Sequence, residues 1–237
     1  MRSMVLAVAL VLAGPAARAN DVSVDAEAAS AITEDITATL PVWQPNGGEE
    51  IQFRVLRNGK RFGYHNLSFE TADDGTLRVT NDIDLEVKIG PITAYKYRHQ
   101  SEETWTDGQL VALDGRTRKE GKTLTVSVSS GDSGLRIDGS NNSGVVRADI
   151  IPSSHWHTQE LFSDTILSSE GGQVLEIEVD RIGLETLTIG GEVVEAERYR
   201  LQSDLAVDLW YTADGRWVKC AFSARGQDIE YVLEALY

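Results

Sequence analysis

His155 and His157, one residue apart, are the sharpest chemical pattern in this chain. In an extended segment two such imidazoles point the same way. That spacing suits two ligands on one metal, with Glu160 or Asp164 as a third. The plainer reading is a loop flanking a buried Trp156. A second group, Tyr95, Tyr97, His99, Glu103 and Trp105, alternates along one face of one strand. Rings and a carboxylate on a concave wall suit a sugar or another amphipathic ligand, and together with Trp156 they make the candidate ligand-binding set. Glu103 paired with a second carboxylate would support glycoside hydrolysis or a lyase. The third pattern is Trp210-Tyr211-Thr212-Ala213-Asp214-Gly215-Arg216-Trp217. It reads as a hairpin closed by Asp214-Gly215. Leu205, Val207, Leu209 and Tyr211 would face one way with Val218, Cys220 and Phe222. Trp210 and Trp217 would then form a cross-strand pair on the other face, beside Asp208 and Lys219.

Other chemistry finds little support. The motif G-x-S-x-G is absent, and Gly131–Gly134 reads as a hairpin loop rather than a phosphate cradle. Cys220 alternates with Val218 and Phe222 and reads as a small buried hydrophobe, not a nucleophile. His65 and His99 read as hydrogen-bonded wall positions. No motif calls for a cofactor.

The elements that must position these residues are strands. Leu77, Val79, Ile83, Leu85, Val87 and Ile89 share one face, with Asn81 interrupting the row. Arg78, Thr80, Asp82, Asp84, Glu86 and Lys88 share the other. Turn signals such as Asn58-Gly59, Asp107-Gly108, Glu120-Gly121 and Arg225-Gly226 recur between alternating segments. The connections are too short for crossover helices, so the sheet must be antiparallel. The expectation is an all-β fold: a long antiparallel meander of about twelve to fourteen strands, curved into a sheet or half-barrel around one core. One short helical or irregular insert falls near 153–169, with Leu161, Phe162, Ile166 and Leu167 as its apolar face.

Residues 1–19 read as a signal peptide. Arg2 precedes a short apolar run, and Ala17-Arg18-Ala19 fits the small-x-small cleavage rule, with the cut after Ala19. Residues 20–48 lack strand alternation and read as a flexible arm, which leaves residues 49–237 as a single domain. The expected location is periplasmic or secreted, with nothing spanning a membrane after cleavage. The net charge is −15, and losing Arg2 and Arg18 makes it two units more negative. Such a surface repels nucleic acid and anionic headgroups. A single cysteine excludes an internal disulfide.

The order of features resembles the DUF6134 type of exported bacterial β protein. The matching pieces are Phe53-Arg54-Val55 with Asn58-Gly59, then Gly63-Tyr64-His65, then Val87-Lys88 with Tyr95-x-Tyr97. Glu103-x-Trp105-x-x-Gly108-x-Leu110, Trp156, Trp210-Tyr211 and Gly215-Arg216-Trp217 complete the set. The chain is also similar, more distantly, to the DUF3108 group and to lipoprotein-carrier (LolA/LolB-like) half-barrels. This resemblance implies a fold and a compartment rather than a mechanism. Three functions follow as expectations. The first is a carrier holding a lipid or other amphipathic small molecule in an apolar concavity. The second is a partner of an envelope protein without a ligand, which predicts a filled barrel and an exposed apolar patch. The third is a carbohydrate- or peptide-active enzyme with a polar His/Glu/Tyr cleft.

Overall fold

The structure is a computed structural model and describes residues 40–237. The expected leader and residues 20–39 of the expected arm lie outside the described residues. Eight strands come first: β1 (Glu50–Arg57), β2 (Lys60–Thr71), β3 (Leu77–Ile89), β4 (Ile92–Thr106), β5 (Gln109–Lys119), β6 (Lys122–Gly131), β7 (Gly134–Gly139) and β8 (Ser143–Val146). Five more close the chain: β12 (Glu178–Ile189), β13 (Glu192–Gln202), β14 (Ala206–Tyr211), β15 (Trp217–Ala224) and β16 (Gln227–Leu233). Between the two runs lie the short β9 (Ile151–Pro152), β10 (Thr165–Leu167) and β11 (Val174–Glu176), with a 3-10 helix at Thr158–Phe162.

The two runs form one antiparallel sheet of thirteen strands, in the order β12-β13-β14-β15-β16-β1-β2-β3-β4-β5-β6-β7-β8. The sheet is therefore two meanders joined where β1 pairs β16, with Val55 opposite Tyr231 and Phe53 opposite Leu233. Tight turns set the hairpins. Asn58-Gly59, Asp107-Gly108, Glu120-Gly121 and Arg225-Gly226 all take positive φ at both central positions. This is the primed turn geometry whose twist matches the flanking strands. The end strands β8 and β12 do not pair with each other, so the sheet curls into an open half-barrel. No helix among the described residues is long and apolar enough to cross a membrane.

The concave face does not enclose an empty chamber. The segment from Arg147 to Ile177, which carries β9, β10, β11 and the 3-10 helix, folds into it as a plug. Ile150, Ile151, Trp156, Leu161, Ile166 and Leu167 of this segment join the apolar core of the sheet. The expected helical face of the insert is only partly realised. Ile166 and Leu167 belong to a strand, and Phe162 points to solvent. Two glycines let the plug in, Gly115 within β5 and Gly139 at the end of β7. A Cβ on Gly115 would overlap the backbone oxygen of Ser169 and lie 2.9 Å from Val126 Cγ1. A Cβ on Gly139 would lie 2.5 Å from the backbone oxygen of Gly171.

The arm needs a correction where the structure describes it. From Leu40 the chain is docked on the domain. Trp43 is buried edge-on against Phe69 and Tyr237, at 5.1 and 4.8 Å between ring centres. The Thr158 hydroxyl donates to the Pro41 carbonyl oxygen at 2.9 Å. Pro41 and Pro45 rule out a helix, but a buried indole needs only one well-placed residue, and the apolar Leu40, Val42 and Trp43 supply it.

Candidate functional site

Strand alternation turns Tyr95, Tyr97, His99, Ser101, Glu103 and Trp105 of β4 inward, and all are buried. The plug meets this row and divides it into two clusters. The deeper one centres on Glu103, which is fully buried. Its Oε2 accepts the indole N–H of Trp105 at 2.9 Å and that of Trp156 at 3.0 Å. Burial raises the Glu103 pKa, and the indole donors Trp156 and Trp105 oppose that rise. The His157 ring stacks on Trp105, 4.8 Å between centres and 8° from parallel. Burial depresses its pKa to about 4.

The second cluster surrounds a cavity of about 50 Å³ lined by side chains that include His65, Asn81, Tyr97, His99, His155 and Glu170. Tyr97 donates its hydroxyl to Glu170 Oε1 at 2.7 Å. His99 Nδ1 lies 2.8 Å from Thr117 Oγ1. Its Nε2 lies 3.2 Å from Ser101 Oγ and 3.4 Å from Ser169 Oγ. His155 Nδ1 meets the Glu160 carboxylate at 3.0 Å, and the Tyr211 hydroxyl donates to Glu160 Oε1 and the His155 carbonyl oxygen, each at 2.8 Å. Neither ring nitrogen of His65 has a hydrogen-bond partner among the described residues. Burial holds the His65 pKa down to about 3, with the nearby His155 and His99 lowering it further, and burial alone holds His99 at about 4.

The structure therefore brings Glu103, Trp105, Trp156 and His157 together, and Tyr97, His99 and His155 together. Tyr95 stands apart from both clusters, packed near Phe62 at 5.8 Å between ring centres. The metal expectation assumed an extended backbone at His155-x-His157. His155 instead has φ of 64°, in the left-handed region, so its ring turns to Glu160 while that of His157 stacks on Trp105. Among the described residues, no three His, Cys, Asp or Glu side chains are grouped to hold a metal ion.

The Trp210–Trp217 hairpin also needs correction. Trp210 pairs with Lys219 but Tyr211 pairs with Trp217, so Val218 is an extra residue in the ladder. This bulge turns Trp217 inward, where it packs on Phe53 at 4.5 Å and His65 at 5.4 Å. Trp210 alone faces outward. There Arg198 and Lys219 cover its ring at 5.1 and 4.8 Å, and Glu185 accepts its N–H at 2.8 Å. Cys220 is buried and free, as its alternation predicts. Sequence reasoning missed Ser169 and Glu170. The available signal was the mid-strand glycine at 115, since an isolated glycine in a strand marks close backbone approach.

As it stands, the cavity has room for a few water molecules and lies far below the roughly 300 Å³ of a drug-sized ligand pocket. The fold has a counterpart in the crystal structure of a β-barrel-like DUF1849 protein from Brucella abortus. It aligns with a TM-score of 0.54 at 8% identity, over 78% of this chain and 95% of that one. A presumed lipoprotein from Parabacteroides distasonis aligns over 81% of this chain and 97% of its own at 11% identity, but its TM-score of 0.26 carries no argument. No curated protein matches the chain. The model of the family described as a domain of unknown function, DUF6134, matches residues 53–234, and the chain belongs to that family.

Proposed function

We propose that the protein is an exported binding partner in the cell envelope that works through its surface rather than through an interior pocket. The observation that carries this reading is the plug, which fills the half-barrel and leaves about 50 Å³. An acyl chain has no room there. The surface supports the reading further. Strand β12 is twelve residues long and, among the described residues, forms a free edge of the sheet. On it Ile182 and Leu184 stand 46% and 62% exposed, and Val193 of the neighbouring β13 is 75% exposed. A long free edge with apolar side chains is a template for an added strand from another chain. The leader-like N-terminus supports export. A carrier with its ligand inside the half-barrel is the second reading. It requires the plug to leave, and the polar seam between plug and sheet favours it.

A photo-crosslinker at Leu184 should trap a partner chain in cells, whereas one at Thr80, on the outer face of β3, should not. Leu184→Lys places a charge on the edge and should abolish partner binding. Native mass spectrometry of the purified protein should give the mass of the chain alone. A stoichiometric lipid in that spectrum, or equal crosslinking at both positions, would overturn the surface reading.

A further inference from the structure

The chain has four histidines. All four lie on the seam between plug and sheet. His65 and His99 project inward from β2 and β4, and His155 and His157 belong to the plug. His65, His99 and His155 line the same cavity, and His157 stacks on Trp105 of β4. We propose that the plug is an acid-released latch: proton uptake by His65, His99 and His157 drives residues 147–177 off the concave face while the thirteen-strand sheet stays folded.

The geometry gives the reason. A charged imidazole in the closed seam has no bulk water and few free counter-charges. The plug offers Glu160, committed to His155 and Tyr211, and Glu170, bonded to Tyr97. From the sheet, β4 offers Glu103, committed to two indoles, and Tyr97, while β14 offers Tyr211, β15 Cys220 and β16 Tyr231. Releasing the plug gives each ring water. It leaves the ladder hydrogen bonds between strands intact, since those are made by backbone groups.

The sign follows from linkage. Burial holds His65 at about 3 and His99 and His157 at about 4 in the closed form. The open form takes up protons from about pH 6.5 downward. Each of these bases therefore favours the closed form above that pH. Below it, each raises the opening constant about tenfold per pH unit until its closed-form pKa is reached. Three together give about a thousandfold per unit between roughly pH 6 and 4. Glu103 works the other way, because a carboxyl with a raised pKa is favoured closed by acid.

Hydrogen exchange of the full chain between pH 7 and 4, corrected for intrinsic exchange rates, tests this. Amides in 150–177 should lose protection at a higher pH than those in β2–β4, and a hydrophobic dye should bind as they do. His157→Phe keeps a ring on Trp105 but removes one proton, so it should shift plug opening to lower pH and reduce its pH slope by about one. His65→Leu should do the same. Plug and sheet losing protection together, no loss by pH 4, or an unmoved profile in His157→Phe would overturn the proposal.

Discussion

Gly115→Ala is a one-carbon test of how the half-barrel is filled. Gly115 sits mid-strand in β5, opposite Ser101 on one side and Val126 on the other. A Cβ there would overlap the backbone oxygen of Ser169 and press on Val126 Cγ1 at 2.9 Å. Neither neighbour is the free end of a flexible chain. Ser169 is held by its own N–H to Ser153 Oγ at 3.2 Å, and Val126 is buried in β6. Overpacking of this kind costs about 1–3 kcal/mol. At about 2–4 °C per kcal/mol for a domain of this size, the midpoint should fall by about 2–12 °C. The control is Gly131→Ala at the end of β6, where the Cβ would meet only the Gly134 oxygen at 3.6 Å, an ordinary contact. Removing a glycine from a strand without a clash should be neutral or stabilise by about 0.5–1 kcal/mol. Paired thermal melts read the difference. If the two variants melt together, the plug does not pack against β5 as described. Exchange at Ser168–Gly172 should rise in Gly115→Ala alone.

Other expectations follow from the same contacts. Trp156→Phe removes one of two donors from the buried Glu103 carboxyl and should cost about 1–3 kcal/mol in urea unfolding. Tyr211→Phe takes the hydroxyl from Glu160 and the His155 carbonyl, with a similar expected loss; an unchanged midpoint would mean those groups are satisfied some other way. Arg198→Ala should leave the fold intact, cost about 0.5–2 kcal/mol, and shift Trp210 emission to the red, because the guanidinium is one of two cations over that ring. Cys220 should resist thiol reagents in the native protein and react fully in urea, because burial pushes its thiol well above the ordinary range.

The strands were legible because their faces differ in chemistry. The β3 row from Val79 to Leu85 and the Tyr95–Trp105 row turn inward as their period of two predicts, and paired turn residues mark the hairpins. What escaped were departures from regular backbone. One extra residue at Val218 reverses the face of Trp217, and a positive φ at His155 separates two imidazoles that an extended chain would align. Neither leaves a mark in a pattern of apolar and polar letters. The pairing of β1 with β16 escaped for another reason. Register between strands far apart in sequence depends on the whole curled sheet, not on either strand's composition. The plug was visible only as a break in rhythm. That its serines, glutamates and histidines meet β2 and β4 follows from the curl of the sheet and from the space at Gly115 and Gly139.

The β1–β16 join also bears on the order of events when the chain first folds. The first strand of the domain has one flank satisfied early by β2, but the other must wait for nearly the last residues to arrive. A chain delivered from its N-terminus would hold that flank bare through most of its synthesis. Such non-local closure is slow and leaves strand edges open to wrong partners meanwhile. Loss of even the final dozen residues would then remove more than a tail: it would unseam the two halves of the molecule.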